Sequence, residues 1–174
     1  MIREIRKDDR KDLVELIKSN DIFKPDEKQV AIDLVDETLE IDKKDEYDYN
    51  IFVYELDNKV IGYHCIGKRY MTEGVFDLYW IVVHSNYHGQ KIGKELLNQA
   101  EEFIFDQNGY LVIAETSSQP SYLSTRKFYE INDYQVLAEI KDFYKRNDNL
   151  VIFGKYLTKQ NEGKINGTMA TDDT

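Results

Sequence analysis

Residues 82–97 read VVHSNYHGQKIGKELL, where Gly89 and Gly93 are accompanied by Lys91 and Lys94. The stretch passes from a β-branched apolar run to apolar residues at helical spacing, so it reads as a strand, a glycine-bearing turn and a helix start. That arrangement suits an anion. The first N–H groups of a helix have no intrahelical partner, the helix dipole adds partial positive charge, and the two lysines add formal charge. Two phosphate loops fail on spacing. A P-loop needs Gly-x-x-x-x-Gly-Lys and then Ser or Thr for magnesium; here the glycines are one residue too close and Glu95 follows Lys94. The dinucleotide fingerprint Gly-x-Gly-x-x-Gly is absent from the stretch.

Other groups able to do chemistry lie on either side. Asp77 precedes the loop in VFDLYWIVV (75–83), and Glu115 lies in the following apolar run, YLVIAETSS (110–118). Either carboxylate could relay a proton through water, and either reads equally as a structural carboxylate at a strand end. By alternation, Asp77, Tyr79, Ile81 and Val83 are expected on one face. Cys65 is the only cysteine, so no intrachain disulfide forms. No metal-ligand spacing appears, and no metal is expected. His64, beside Cys65 in a strand-like run, reads as a core residue; His84 reads as structural.

These groups must be carried by a mixed sheet. MIREIRK alternates as a first strand, and Leu13, Leu16 and Ile17 mark a helix. A second helix opens at Pro25, where a missing N–H costs nothing, and carries Val30, Leu34, Val35 and Leu39. Two strand-like runs flank Asp57-Asn58, a hairpin signal. After the 75–83 strand and the loop, Ile92, Leu96, Leu97, Ala100, Phe103 and Ile104 form one helical stripe, with Gly109 as its expected stop. A strand (110–118), a short helix (STRKFYEIN) and two final strands complete the order β-α-α-β-β-β-α-β-α-β-β. Helices interleaved with strands and hairpins imply an α/β fold, a mixed sheet with helices on its faces. Residues 1–157 are expected to form one domain, and 158–174, nearly devoid of apolar residues, a polar tail.

The loop resembles the pyrophosphate loop of the GCN5-related N-acetyltransferase (GNAT) superfamily, whose pattern is Gln/Arg-x-x-Gly-x-Gly/Ala. His88 falls at the Gln/Arg position, Lys91 at the first Gly and Gly93 at the second. Val83-His84-Ser85-Asn86-Tyr87 is similar to the Val-His-Pro-x-Tyr-like run that precedes that loop. A second stretch, RKFYEINDYQVLAEIKDFY (126–144), resembles the late helix and strand of the family, with Phe128, Tyr129, Glu130 and Tyr134 in register and Asp133 where Gly is usual. The likeness covers about residues 50–157 and, more loosely, the β-α-α start.

The resemblance implies a GNAT-like fold with a mostly antiparallel central sheet, and transfer of an acetyl group from acetyl-CoA to a primary amine of a small molecule or peptide. It implies that strands 75–83 and 110–118 splay apart. Ile81, Val82 and Val83 would offer backbone groups to the pantetheine arm and the thioester. His88, Gly89, Gln90, Lys91, Ile92, Gly93 and Lys94 would cradle the pyrophosphate. Tyr129 falls on the tyrosine that donates a proton to the leaving sulfur. Asp77 lies where a Glu acts as base in histone-acetylating members, with Glu115 as competitor. Tyr122 stands where many relatives have a cofactor-contacting Asn, and Arg126 faces either a CoA phosphate or solvent. Homodimers are common in the family, so a homodimer is an expectation. Lys, unlike Gly, is penalised at positive φ, so Lys91 is expected in an ordinary helical or bridge conformation.

Composition sets the outer bounds. Net charge is −10, which disfavours nucleic acid as a partner. No run is long and apolar enough for a membrane span, and the N-terminus lacks a signal-peptide pattern, so a cytoplasmic location is the expectation. Asp21, Asp26 and Glu27 hint at a cationic acceptor. The competing reading is a CoA-binding sensor or interaction module that kept the loop and lost catalysis, motivated by Lys91 and Asp133.

Overall fold

The computed structural model describes residues 1–42 and 44–158. The strands are β1 (Ile2–Glu4), β2 (Asn50–Leu56), β3 (Lys59–Lys68), β4 (Val75–Val83), β5 (Leu111–Ser117), β6 (Gln135–Lys145) and β7 (Asp148–Tyr156). The helices are α1 (Arg10–Ser19), α2 (Pro25–Glu40), α3 (Ile92–Asp106) and α4 (Leu123–Ile131). This is the element order expected from the sequence. The seven strands form one sheet in the order β1-β2-β3-β4-β5-β7-β6. Every neighbouring pair is antiparallel except β4 and β5. The expected tail, 158–174, lies outside the described residues apart from Thr158.

Two helix pairs cover the sheet because each carries an apolar stripe. Leu13, Leu16 and Ile17 of α1 and Ala31 and Val35 of α2 pack on Ile51, Val53, Tyr63 and Val82. The α2 stripe is rotated from its expected position: Val30 is exposed and Ala31 buried instead. On the other face, Leu97, Ala100 and Ile104 of α3 and Tyr129 of α4 pack on Phe76, Leu78, Val112 and Ala114. β3 is buried on both faces along most of its length, as a central strand must be.

A bulge in β4 overturns the expected alternation. Cys65 pairs with Trp80, but the next residue, Ile66, pairs with Leu78, so Tyr79 is an extra residue. An unpaired residue reverses which faces the following side chains take. Phe76 and Leu78 face α3, as does Ile81, whereas Trp80 and Val82 face α1 and α2. Asp77 therefore does not share a face with Ile81 and Val83. The α3 stop is also shifted. Asn108 takes the left-handed conformation at φ 60°, and Gly109 is needed for close approach: a Cβ there would lie 2.8 Å from the Ile104 carbonyl.

His64 is fully buried on the α3 face, stacked on Phe52 and bonded through Nε2 to Gln99 Oε1. Its Nδ1 has no partner. Burial, opposed only by the Gln99 bond, lowers its pKa from 6.5 to about 4. A depressed histidine pKa contributes stability that is complete above the unfolded value and is lost as pH falls towards the folded one. Stability should drop by about 1.4 kcal/mol per pH unit below pH ~6.5, reaching about 3 kcal/mol near pH ~4. In urea melts, His64→Gln is expected to flatten that slope between pH ~6.5 and ~5.

Candidate active site

The parallel β4–β5 seam is short. Val75, Phe76 and Asp77 pair with Leu111, Val112 and Ile113, and no pairing follows. Beyond Asp77 the strands separate into a wedge, as the family resemblance implied. On its far side β4 remains paired to β3, and His84 N–H donates to the Ile61 carbonyl at 2.8 Å. Antiparallel alternation then turns the backbone groups of Val82 towards β3 and those of Ile81 and Val83 into the wedge. Within the expected trio, Ile81 and Val83 are thus the residues with backbone polar groups open to a ligand.

The loop closes the end of the wedge. Amides of Gly89, Gln90, Lys91, Ile92, Gly93 and Lys94 donate to no acceptor among the described residues; the first helical bond runs from Glu95 to the Lys91 carbonyl. Gly89 has φ 79° and Lys91 φ 66°. Lys91 is therefore left-handed, contrary to the expected helical or bridge conformation. Asp133, the other non-glycine at a family glycine position, is also left-handed at φ 68°. At both positions a non-glycine residue takes the conformation that glycine adopts most readily. Alternating conformations of this kind gather successive N–H groups into an anion-binding concavity. Gly93 serves packing: a Cβ there would stand 3.3 Å from the Phe128 ring. Since a left-handed L-residue costs about 1 kcal/mol, Lys91→Gly is expected to raise stability by about 0.5–1 kcal/mol in denaturant titration.

His88 does not point at the loop's anion site. Its Nε2 donates to the Val83 carbonyl at 2.8 Å, which removes one of the polar groups open to the wedge. Of the loop side chains, Ile92 is buried as the anchor of α3; Gln90, Lys91 and Lys94 are exposed.

Tyr129 reaches the wedge from the α4 side. It is 4% exposed and lines a cavity of about 250 Å³ together with Ile81, Glu115, Thr116 and Tyr122. Burial alone raises its pKa above the ordinary tyrosine value, so the phenol stays protonated. Among the described residues no side-chain hydrogen bond acts on its hydroxyl. Tyr122 is engaged elsewhere: its hydroxyl donates to Glu27 Oε2 at 2.6 Å, tying α4 to α2. Arg126 fits neither expectation, because its Nη1 donates to the Ser117 and Gln119 carbonyls at 2.6 and 2.9 Å.

The two carboxylates meet on the α2 face and share a cation that sequence reasoning missed. Arg69 contacts both oxygens of Asp77 at 2.7–3.1 Å and Glu115 Oε1 at 3.1 Å. The Asp77 bond, against a smaller burial effect, raises the Arg69 pKa and keeps it charged. Asp77 is nearly buried, whereas the Glu115 side chain is 41% exposed. Glu115 faces both the Tyr129 cavity and a neighbouring one lined by Asp77, Arg69 and Glu27. The signal for Arg69 lay in the hairpin: Gly67 pairs with Asp77, so a residue just past Gly67 must stand beside it. Among the described residues no group of His, Cys, Asp and Glu could hold a metal, and no helix is long and apolar enough to cross a membrane.

The comparisons agree with this geometry. The family model described as "Acetyltransferase (GNAT) family" matches residues 13–134. A GNAT-family protein structure from Desulfovibrio desulfuricans is 31% identical, with a TM-score of 0.83, covering 90% of this chain and 98% of that one. An aminoglycoside 6'-N-acetyltransferase complexed with coenzyme A is 13% identical, TM-score 0.69, with 90% and 96% covered. The ribosomal-protein-S18-alanine N-acetyltransferase of Escherichia coli is 12% identical, TM-score 0.71, with 94% and 97% covered. The last two are likenesses of fold alone. No curated protein matches the sequence at a significant level. A wedge between two parallel strands, closed by a left-handed glycine turn and faced by a buried tyrosine, is thus accompanied by a match over most of the sequence, and the chain belongs to the GNAT acetyltransferase family.

Proposed function

We propose that this protein transfers the acetyl group of acetyl-CoA to a primary amine of a small molecule or peptide by direct attack in a ternary complex. The observation that carries this reading is the buried Tyr129 side chain lining a cavity at the β4–β5 wedge. The residues present fit the cosubstrate. Free amides from Gly89 to Lys94 suit a pyrophosphate, and the backbone groups of Ile81 with the Val83 N–H suit an amide-bearing arm laid along β4 as a substitute strand.

In the reaction the amine nitrogen, neutral after losing a proton, bonds to the acetyl carbon, and the carbon–sulfur bond breaks. A carboxylate takes the amine's proton through water, and Tyr129 donates to the departing sulfur. A free thiol has a pKa near ~8.5, so a phenol held above its ordinary ~10 stabilises the thiolate mainly as a hydrogen-bond donor. Glu115 is the better-placed base, since it is half-open to both cavities and holds Arg69 by one bond, whereas Asp77 is held by three. Asp77 then acts as a positioning residue for Arg69.

The CoA-binding sensor reading is favoured by one observation: Arg69 occupies both candidate bases. The two readings separate in an assay of thiol release from acetyl-CoA with a panel of amines. Amine-stimulated release is the expected result. Acetyl-CoA binding without stimulation by any amine would favour the sensor.

A further inference from the structure

The cavity at the open end of the wedge already contains a cation, supplied by the chain itself. Lys24 stands just before α2, its backbone N–H bonded to Glu27 Oε2 at 2.7 Å. Its side chain, 47% exposed, lines the cavity. Nζ lies 5.7 Å from the centroid of the Tyr144 ring, within the range of a cation–π contact, and 3.4 Å from Asp148 Oδ2.

Asp148 makes this contact unusual. It is fully buried, and a buried carboxylate needs close compensation. Oδ1 has it from the Ser117 hydroxyl. Oδ2 does not: its contact with Lys24 is longer than a well-made charge-assisted bond, and among the described residues no other cation reaches it. The same fold makes a tight buried pair elsewhere, with Arg3 meeting Asp9 at 2.7 and 2.8 Å. Lys24 is therefore a loose, half-exposed partner for a buried charge.

The surroundings are anionic and aromatic. Glu27 and Glu115 line the cavity, as do Trp80 and Tyr144. Burial, and then the negative charges of Glu115, Glu27 and Asp148, raise the Tyr144 pKa. Arg69 is committed to Asp77 and Glu115, leaving Lys24 as the exchangeable cation. Tyr129, itself buried, opens on the same chamber.

We propose that the Tyr144–Asp148 corner is a subsite for a second positive charge on the acceptor, held by the Lys24 ammonium in the free protein. The acceptor is then an amine with at least one further ammonium group; that group displaces Lys24 while the neutral nitrogen faces the thioester. The identification of the occupant as an acceptor rests on the acetyl-transfer reading; the cation subsite itself does not. A ligand ammonium matches the lysine head group in charge and size, and it carries no tether to keep it at 3.4 Å from Asp148.

Calorimetric titration of the CoA-loaded protein with putrescine and with butylamine tests this. Putrescine is expected to bind about tenfold or more tightly than butylamine. Lys24→Met removes the internal competitor and should tighten putrescine about five- to tenfold. The same variant leaves Asp148 uncompensated, so its melting temperature should fall and putrescine should restore it more than in the wild type. Tyr144→Leu, on the exposed strand β6, should weaken putrescine about three- to tenfold, and it carries the test alone if Lys24→Met does not fold. Equal binding of the two amines, or a Lys24→Met variant that binds putrescine no better than wild type, overturns the subsite. CoA release is followed in parallel. Putrescine binding in the expected order without turnover retires acetyl transfer and keeps the subsite. Turnover indifferent to the second charge and to Lys24 does the reverse.

Discussion

Replacing Tyr129 by Phe is expected to lower kcat about 10²–10³-fold while acetyl-CoA binding stays within about threefold. The substitution is unusually clean. Among the described residues no side-chain hydrogen bond acts on the Tyr129 hydroxyl, and the ring packs against Tyr134 and Phe153 at centroid distances of 5.4 and 5.5 Å. Phe keeps that packing, and deleting a hydroxyl that no side chain holds removes little folding energy. What disappears is a donor to the leaving sulfur, present only while the carbon–sulfur bond breaks, and such a loss falls on kcat. Steady-state thiol release, with a thermal melt to confirm the fold, measures both sides. A kcat within a factor of about three of the wild type would remove Tyr129 from the mechanism.

The carboxylates should separate by the kind of damage they cause. Glu115→Gln is expected to lower kcat about 10- to 100-fold, with little change in stability, because Glu115 is half-exposed and gives Arg69 one bond. Asp77→Asn breaks the ion pair that orders Arg69 and should cost about 1–3 kcal/mol in urea melts, with a smaller fall in kcat. The opposite pattern, a larger fall in kcat for Asp77→Asn than for Glu115→Gln, would exchange the roles.

Much of the site is visible in the sequence because it is local. The anion-binding turn depends on a strand, a few residues and a helix start that adjoin in the chain, and Tyr129 is fixed by its register in KFYEIN. The features missed depend on pairing. The bulge at Tyr79 leaves no mark on an apolar, aromatic run, yet it places Asp77 on the face opposite Ile81 and Val83. Arg69 and Asp77 meet only because a hairpin folds back, and Lys24 and Asp148 only because the fold brings the residue before α2 to the start of β7. Their separation in the chain carries no periodic signal. Lys91 shows the limit of propensity: the local preference of Lys against positive φ is worth about 1 kcal/mol, and the turn between β4 and α3 overrides it.

The brevity of the β4–β5 seam has a mechanical consequence. Three residue pairs join the β1–β4 half of the sheet to the β5–β7 half, so across that line the sheet is held largely by the packing of α3 and α4 side chains on both halves. A cosubstrate arm laid against Ile81 and Val83 would act as a splice, adding to β4 the backbone bonds that β5 withholds. Ligand occupancy would then couple the two halves into one cooperative unit, and the resistance of the fold to unfolding would follow the supply of CoA.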